Sequence, residues 1–210
     1  MSADDEKRLA AEAAAELVED GMLVGLGTGS TVAHFLPALA RRGLRLRCVA
    51  TSLQTESAAR ELGLPVEPFD ELDRLDLAVD GADQVAPDRW LVKGGGAAHT
   101  REKIVAAAAE RFVVILSADK LVAALGPPIP LELLSYGVRA TLARVRPAEL
   151  RDVPPSPDGG LIADYLGPVG DPVELAARLD ATPGVVEHGL FPPELVSEII
   201  VGRGGGVERL

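Results

Sequence analysis

The sequence holds one cysteine, three histidines and four lysines in 210 residues, and each scarcity removes a class of function. A lone Cys48 cannot close an internal disulfide. It lies in the strand-like run "LRCVATS", which reads it as a small core residue rather than a reactive thiol. His34, His99 and His188 stand far apart in the chain and fall into no recognised ligand spacing, so the expected site holds no metal. No apolar run reaches the length that spans a bilayer. The opening "MSADDEKRLAAEAAAELVED" is acidic and amphipathic where a secretory signal would be apolar, so the expected location is cytoplasmic.

Positive charge is also short. The net charge is −11, and the 17 arginines that remain of the 21 basic residues once the four lysines are set aside are scattered without forming a block. Nucleic acids and anionic membranes need a basic face, so neither is expected as a partner. An anionic ligand must then be held by local chemistry. Against this arginine background Lys7, Lys93, Lys103 and Lys120 stand out, because a compact ammonium does what a guanidinium cannot. Lys103 is read as decoration of a helix surface.

A chain of 210 residues with 47% hydrophobic content can bury one large domain, or a large and a small one. Over the first two-thirds, helical and strand patterns alternate as in an α/β domain with a mainly parallel sheet. The spacing predicts helices over 4–20, 31–42, 54–62 and 99–110, and strands over 22–25, 46–50, 76–79, 90–92 and 112–116, with a short strand around Val66. From "ALGPPIPLELLSYG" onward, proline-rich connections and shorter elements set in, marking a boundary near Gly126. A small α+β unit follows, with helices over 138–146 and 172–180, the latter opened by Asp171 and Pro172, and strands over 161–165 and 185–190. The apolar "EIIVGR" reads as a strand returning to the first sheet, and "GGGVERL" as a loose end.

The polar motifs fall at strand ends. "MLVG" runs into "LGTGST", "CVA" into "TSLQT", "LAV" into "DGADQ", "WLV" into "KGGGAA" and "FVVIL" into "SADK". If these strands are parallel, all five motifs share the sheet edge where open α/β folds bind ligands. "GLGTGST" leads into a helix, and its N–H groups with the hydroxyls of Thr28, Ser30 and Thr31 can wrap a phosphate; a tight turn that needs glycine is the competing explanation. It is neither a P-loop, for want of a following lysine, nor a dinucleotide fingerprint, for want of an acid after the second strand. "DGAD" sets Asp80 and Asp83 on one loop, where carboxylates can bond sugar hydroxyls or move protons, or simply cap a turn. Glu102 stands in a first helical turn, where the dipole alone would favour it. Together with Lys93, Lys120 and bare glycine backbone, however, these groups are the equipment for removing a proton beside a carbonyl and holding the oxyanion.

Taken in order, "VGLGTGSTVAHF", "VDGAD", "KGGGAAHTREKIV", "SADKLV", "PIPLELL" and "PGVVEHGLF" resemble the A-type ribose-5-phosphate isomerases, over most of the chain. The resemblance implies interconversion of ribose 5-phosphate and ribulose 5-phosphate, without metal or organic cofactor, by a homodimer or homotetramer. It implies a Rossmann-like catalytic domain over 1–125, rejoined by 196–210, and a small α+β domain over 126–195. Glu102 resembles the base that shuttles a proton between the first two carbons. Asp80, Asp83 and Lys93 match positions that assist ring opening and stabilise the enediolate. Thr28, Gly29, Ser30 and Thr31 match the binding loop, Gly81 and Ala82 complete the "DGAD" contact, Gly94, Gly95 and Gly96 form the facing turn, and Lys120 and Lys7 are further substrate contacts. The chain departs from the family pattern at Gln84, where a glutamate is usual, and in "SPDGGLIADY", which lacks the usual asparagines.

Two other classes remain open on the sequence. A sugar-phosphate-sensing regulatory domain has a related fold but would normally follow a helix-turn-helix. An acyl-CoA transferase or sugar-phosphate deaminase shares the architecture.

Overall fold

The computed structural model describes residues 2–210. Its elements run α1 (Ala3–Ala15), β1 (Leu23–Leu26), α2 (Val32–Ala40), β2 (Arg47–Ala50), α3 (Leu53–Glu61), β3 (Leu75–Asp80), β4 (Gln84–Val85), β5 (Leu91–Val92), α4 (His99–Ala108), β6 (Ala109–Ser117), β7 (Ile129–Leu133), α5 (Val138–Arg144), β8 (Ala148–Leu150), β9 (Leu161–Tyr165), α6 (Pro172–Asp180), β10 (Val185–His188), β11 (Leu190–Phe191), β12 (Glu198–Arg203) and β13 (Gly206–Arg209). The chain forms two compact units, one of residues up to Ala82 with Arg101–Lys120 and Glu194–Leu210, the other of Asp83–Thr100 with Leu121–Pro193.

The first unit is built on a six-stranded sheet of order β13-β12-β6-β3-β1-β2, parallel except at β13. Its central strands are continuous apolar runs such as Val113–Leu116, because a parallel sheet covered by helices is dry on both faces. Helix α1 starts at a capping box, with Ser2 and Asp5 bonding each other's backbone N–H, and its acids Asp4, Asp5 and Glu6 suit the positive end of the dipole. Ala10, Ala11, Ala14 and Ala15 give it a smooth buried face. The helix stops at Ala15 and not at residue 20, because Arg42 reaches across to the carbonyls of Ala15 and Val18 and satisfies the helix end. The "EIIVGR" strand returns beside β6 as expected. The loose end expected after it is instead β13: Gly204 and Gly205, at φ +56° and +94°, make the two-residue turn of a hairpin that pairs Arg203 with Gly206.

The second unit carries a four-stranded antiparallel sheet, β10-β7-β9-β8, and a three-stranded antiparallel one, β11-β5-β4. Trp90, Val92, Ile129, Leu131, Leu133, Tyr165, Leu179 and Leu190 belong to its core. The strand at "WLV" thus does not join the parallel sheet, which corrects the expectation of five motifs on one edge. The interval between β3 and β5 is shorter than the dozen or so residues a parallel crossover needs, so the chain reverses into the β4–β5 hairpin. Among the described residues, no helix is long and apolar enough to cross a membrane.

Candidate active site

Four of the five motifs do share the carboxyl edge of the parallel sheet, after β1, β2, β3 and β6. Asp80 ends β3 and is 3% exposed. Its Oδ1 accepts the N–H of Gly81 at 2.7 Å and, from the neighbouring strand end, the N–H of Thr28 at 3.0 Å. The two loops close further where Gly27 N–H donates to Val79 O at 2.9 Å. A Cβ on Gly81 would stand 3.9 Å from Thr31 Oγ1, so "DGAD" lies against "GTGST" within this unit. Gly29, at φ +118°, bends the loop in a way that side chains rarely allow.

The loop's hydroxyls divide into two sets. Thr28 Oγ1 is bound to Thr51 Oγ1 at 2.8 Å and Ser52 Oγ at 2.9 Å, so it braces the loop against the end of β2. Thr55 Oγ1 donates to Gly27 O at 2.8 Å and completes the brace. Ser30 Oγ accepts from Lys7 Nζ at 3.0 Å, which brings the near-terminal lysine to the phosphate-type loop. Thr31 is the N-cap of α2 without a side-chain cap bond, so its hydroxyl is not spent on the helix end. The sequence reading marked "TSLQT" as a strand-end motif but gave Thr51, Ser52 and Thr55 no role; the cluster of hydroxyls was its signal.

Glu6, beside Lys7, was missed altogether. Its Oε2 accepts Ala118 N–H at 3.1 Å and its Oε1 accepts Gly204 N–H at 3.4 Å, which fixes the start of α1 to the turns after β6 and β12. Lys120 sits on the first of those turns, with Asp119 Oδ2 at 3.7 Å from its ammonium. Glu102 lies in the first turn of α4 and is 4% exposed. Helix α4 reaches this depth because residue 25 has no side chain: a Cβ there would stand 2.5 Å from Val105 Cγ1. Cys48 is buried, and burial followed by the nearby Glu67 charge pushes its thiol up to about 12, so it is inert packing as expected.

In the second unit, Lys93 directly follows β5 and is 2% exposed, its N–H on Gly189 O at 2.8 Å and its ammonium 5.4 Å from the centre of the Phe191 ring. Asp83 donates its N–H to Val92 O at 2.8 Å and accepts Gly95 N–H on Oδ2 at 2.7 Å. The glycine turn therefore holds the carboxylate directly. A Cβ on Gly94, at φ +105°, would come within 2.7 Å of His99 Nδ1, and one on Gly95 within 2.7 Å of Asp83 Oδ1. Gln84 binds backbone at Gly126, accepting its N–H and donating to its carbonyl, both at 2.8 Å.

Asp180, Glu187 and His188 bring three potential metal-ligand atoms within 4.8 Å of one another. His188 Nδ1 accepts Leu190 N–H at 3.2 Å, which leaves the ring proton on Nε2, facing Asp180 Oδ1 at 3.1 Å. The ring is spent on the turn between β10 and β11.

Residues 47–206 match the model of the family described as ribose 5-phosphate isomerase A (phosphoriboisomerase A). The ribose-5-phosphate isomerase A of Caulobacter vibrioides strain NA1000 / CB15N is 50% identical over 226 aligned residues, covering 100% of this chain and 99% of that protein. The ribose 5-phosphate isomerase A structure from Methanocaldococcus jannaschii superposes with a TM-score of 0.94 at 35% identity, covering 100% of this chain and 99% of its own. A D-ribose-5-phosphate isomerase solved in complex with phospho-erythronic acid superposes with a TM-score of 0.93 at 36% identity, over 100% of this chain and 99% of that one.

Proposed function

The chain belongs to the ribose 5-phosphate isomerase A family, the isomerases of ribose 5-phosphate in the pentose phosphate pathway, and from that premise we propose how its residues share the work. The observation that carries the assignment is the single Asp80 oxygen that accepts N–H groups from both "GTGST" and "DGAD". It fixes the loop beside a carboxylate. Ser30, Thr31 and the loop's N–H groups bind the phosphate with Lys7, while Thr28 and Gly29 give the loop its shape. Phospho-erythronic acid, the ligand of a structural relative, offers a phosphate, hydroxyls and a planar carboxylate that stands in for the planar, oxygen-bearing end of an enediolate of this sugar.

Glu102 is the base. It takes the proton from C2 of the open-chain aldose as C1=O becomes an enediolate oxygen, and it returns that proton to C1 as the C2 oxygen becomes the carbonyl. The hydroxyl proton lost from O2 ends on O1, so no atom is gained or lost. Lys93 and Lys120 stabilise the enediolate charge, which lowers the barrier without a metal or cofactor. Asp80 and Asp83, with the Gly81–Ala82 backbone between them, hold the sugar hydroxyls and pass the proton that ring opening requires. Gly94, Gly95 and Gly96 keep side chains out of the sugar's way.

In sequence terms we take 1–125, with 196–210, as the catalytic domain and 126–195 as the small α+β domain; the compact units divide the chain differently, with Asp83, Lys93 and Gly94–Gly96 in the second. A cytoplasmic location and a homodimeric or homotetrameric assembly complete the reading, as the family resemblance implies. Incubating the purified protein with ribose 5-phosphate and following ribulose 5-phosphate in the presence of EDTA tests the whole scheme. Folded protein that forms no ketose would overturn it.

A further inference from the structure

We propose that Arg151 is a positioning residue for the reaction, setting the glycine turn at 94–96 and, through that turn, the Asp83 carboxylate. Arg151 follows β8, its own N–H on Ile162 O at 2.9 Å, and its side chain is 17% exposed. Two arms of the guanidinium fork onto Asp164, Nε to Oδ2 at 2.7 Å and Nη2 to Oδ1 at 2.6 Å. That fork fixes the plane and direction of the third arm. Nη1 then donates to Gly94 O at 2.9 Å and Gly95 O at 3.2 Å.

The consequence lies on the other side of the same peptides. A turn of consecutive glycines has no side chains to stiffen it, and the energy surface of such backbone is flat. Here its carbonyls are gripped by Arg151, Gly94 O also accepts Ala97 N–H at 3.0 Å, and the Gly95 N–H points at Asp83 Oδ2 at 2.7 Å. Movement of the Gly95 peptide would carry Asp83 with it. The pairing of Arg151 with Asp164 compensates its charge, so the turn is held without a net cation beside it. Lysine cannot reproduce this, because one ammonium offers neither the planar fork nor two arms aimed apart.

The inference rests on the reading that Asp83 contacts the sugar, and the variants separate the two. Steady-state kinetics on ribose 5-phosphate, with melting temperature as the check on folding, should be measured for R151K, D164N, D83N and R151K/D83N. R151K should fold and lose on the order of 10–10²-fold in kcat/KM, the scale expected of a misplaced catalytic contact. D164N, which keeps the arginine but frees its direction, should lose less in the same parameter. The double variant should be little worse than D83N alone, since residues acting as one unit are not additive. R151K within about twofold of wild type beside an impaired D83N, or a double variant losing the product of the two single losses, would overturn the role of Arg151. D83N at wild-type activity would instead overturn the Asp83 assignment, and this proposal with it.

Discussion

A Cβ placed on Gly27 would lie 2.0 Å from the carboxyl carbon of Asp80, so the two residues coexist only because position 27 is bare. The contact is what allows the next residue, Thr28, to donate its N–H to the same carboxylate at 3.0 Å. Gly27→Ala should therefore push Asp80 and the loop apart. The expected result is a kcat/KM lower on the order of 10²-fold, with a stability loss of about 1–3 kcal/mol, the usual cost of overpacking. Kinetics and urea unfolding together check this, and near wild-type turnover would detach Asp80 from the site.

The phosphate loop is tested through Thr31 and Lys7. Thr31→Ala and Lys7→Met should each mainly raise KM, by about tenfold or more if a charge-assisted hydrogen bond of roughly 1.5–3 kcal/mol is lost. Some loss in kcat is expected as well, because remote binding energy also serves the transition state. Inhibition by inorganic phosphate should weaken in proportion. Unchanged KM and unchanged inhibition in both variants would return "GTGST" to a purely structural turn.

Much of this arrangement was legible in the sequence, for reasons that individual elements make plain. β1 and the inner stretches Leu77–Val79 of β3 and Phe112–Leu116 of β6 are apolar runs because both sheet faces are covered, and such runs announce themselves. Helix α6 begins where Asp171 and Pro172 said it would, with Asp171 capping Val173 N–H at 2.8 Å. β7 was hidden because Pro130 interrupts its pattern, and β4 and β8 because two or three residues carry no period. The strand-end motifs gave the site's parts, but not which parts touch. That Lys7 meets Ser30 is a tertiary fact spanning 23 residues, and Arg151 reaches Gly94 across 57. No local spacing encodes such pairs, so Glu6 drew no reading at all and Arg151 counted only as one scattered cation among many.

Cys48 makes a prediction about alkaline pH. Its folded thiol titrates at about 12, against about 8.5 in an unfolded chain. Between these values the unfolded chain gives up the thiol proton and the folded one keeps it, so stability is complete below about pH 8.5 and falls as pH rises toward 12. Urea unfolding of wild type and Cys48→Ala across pH 8–11 isolates the effect (an experimental range of about three units). The stability difference between them should shift by up to about 1.4 kcal/mol per pH unit in that window, and native protein should resist thiol-alkylating reagents at pH 8, roughly the free-thiol value. Rapid alkylation of folded protein would contradict the burial.

The proposed scheme gives the Lewis-acid role to lysines, and the His188 ring proton faces Asp180 instead of leaving that nitrogen open to a metal. Activity should survive exhaustive chelation. Asp180→Asn should leave turnover unchanged, since Asp180 belongs to the β10–β11 support and takes no part in the scheme. Loss of activity in EDTA, restored by a divalent ion, would require a different electrophile.

In the proposed mechanism Glu102 is the base, and its burial at 4% exposure suits a group that must carry one proton between two carbons without losing it to water. Glu102→Gln keeps the size and most of the hydrogen bonding but cannot accept that proton. A fall in kcat on the order of 10²–10⁴ or more is expected, with little change in affinity for the sugar phosphate. The dipole contribution of a first-turn carboxylate is only about 0.3–1 kcal/mol, so the variant should fold. Turnover of wild type in D₂O should leave some solvent deuterium on the transferred position, to the extent that the protonated carboxyl exchanges before returning its proton. The variant is the sharper instrument, because a shielded proton and a hydride shift would both suppress exchange. A Glu102→Gln protein that folds, binds ribose 5-phosphate and still isomerises it near the wild-type rate would remove Glu102 from the mechanism and leave Asp80 or Asp83 to act as the base.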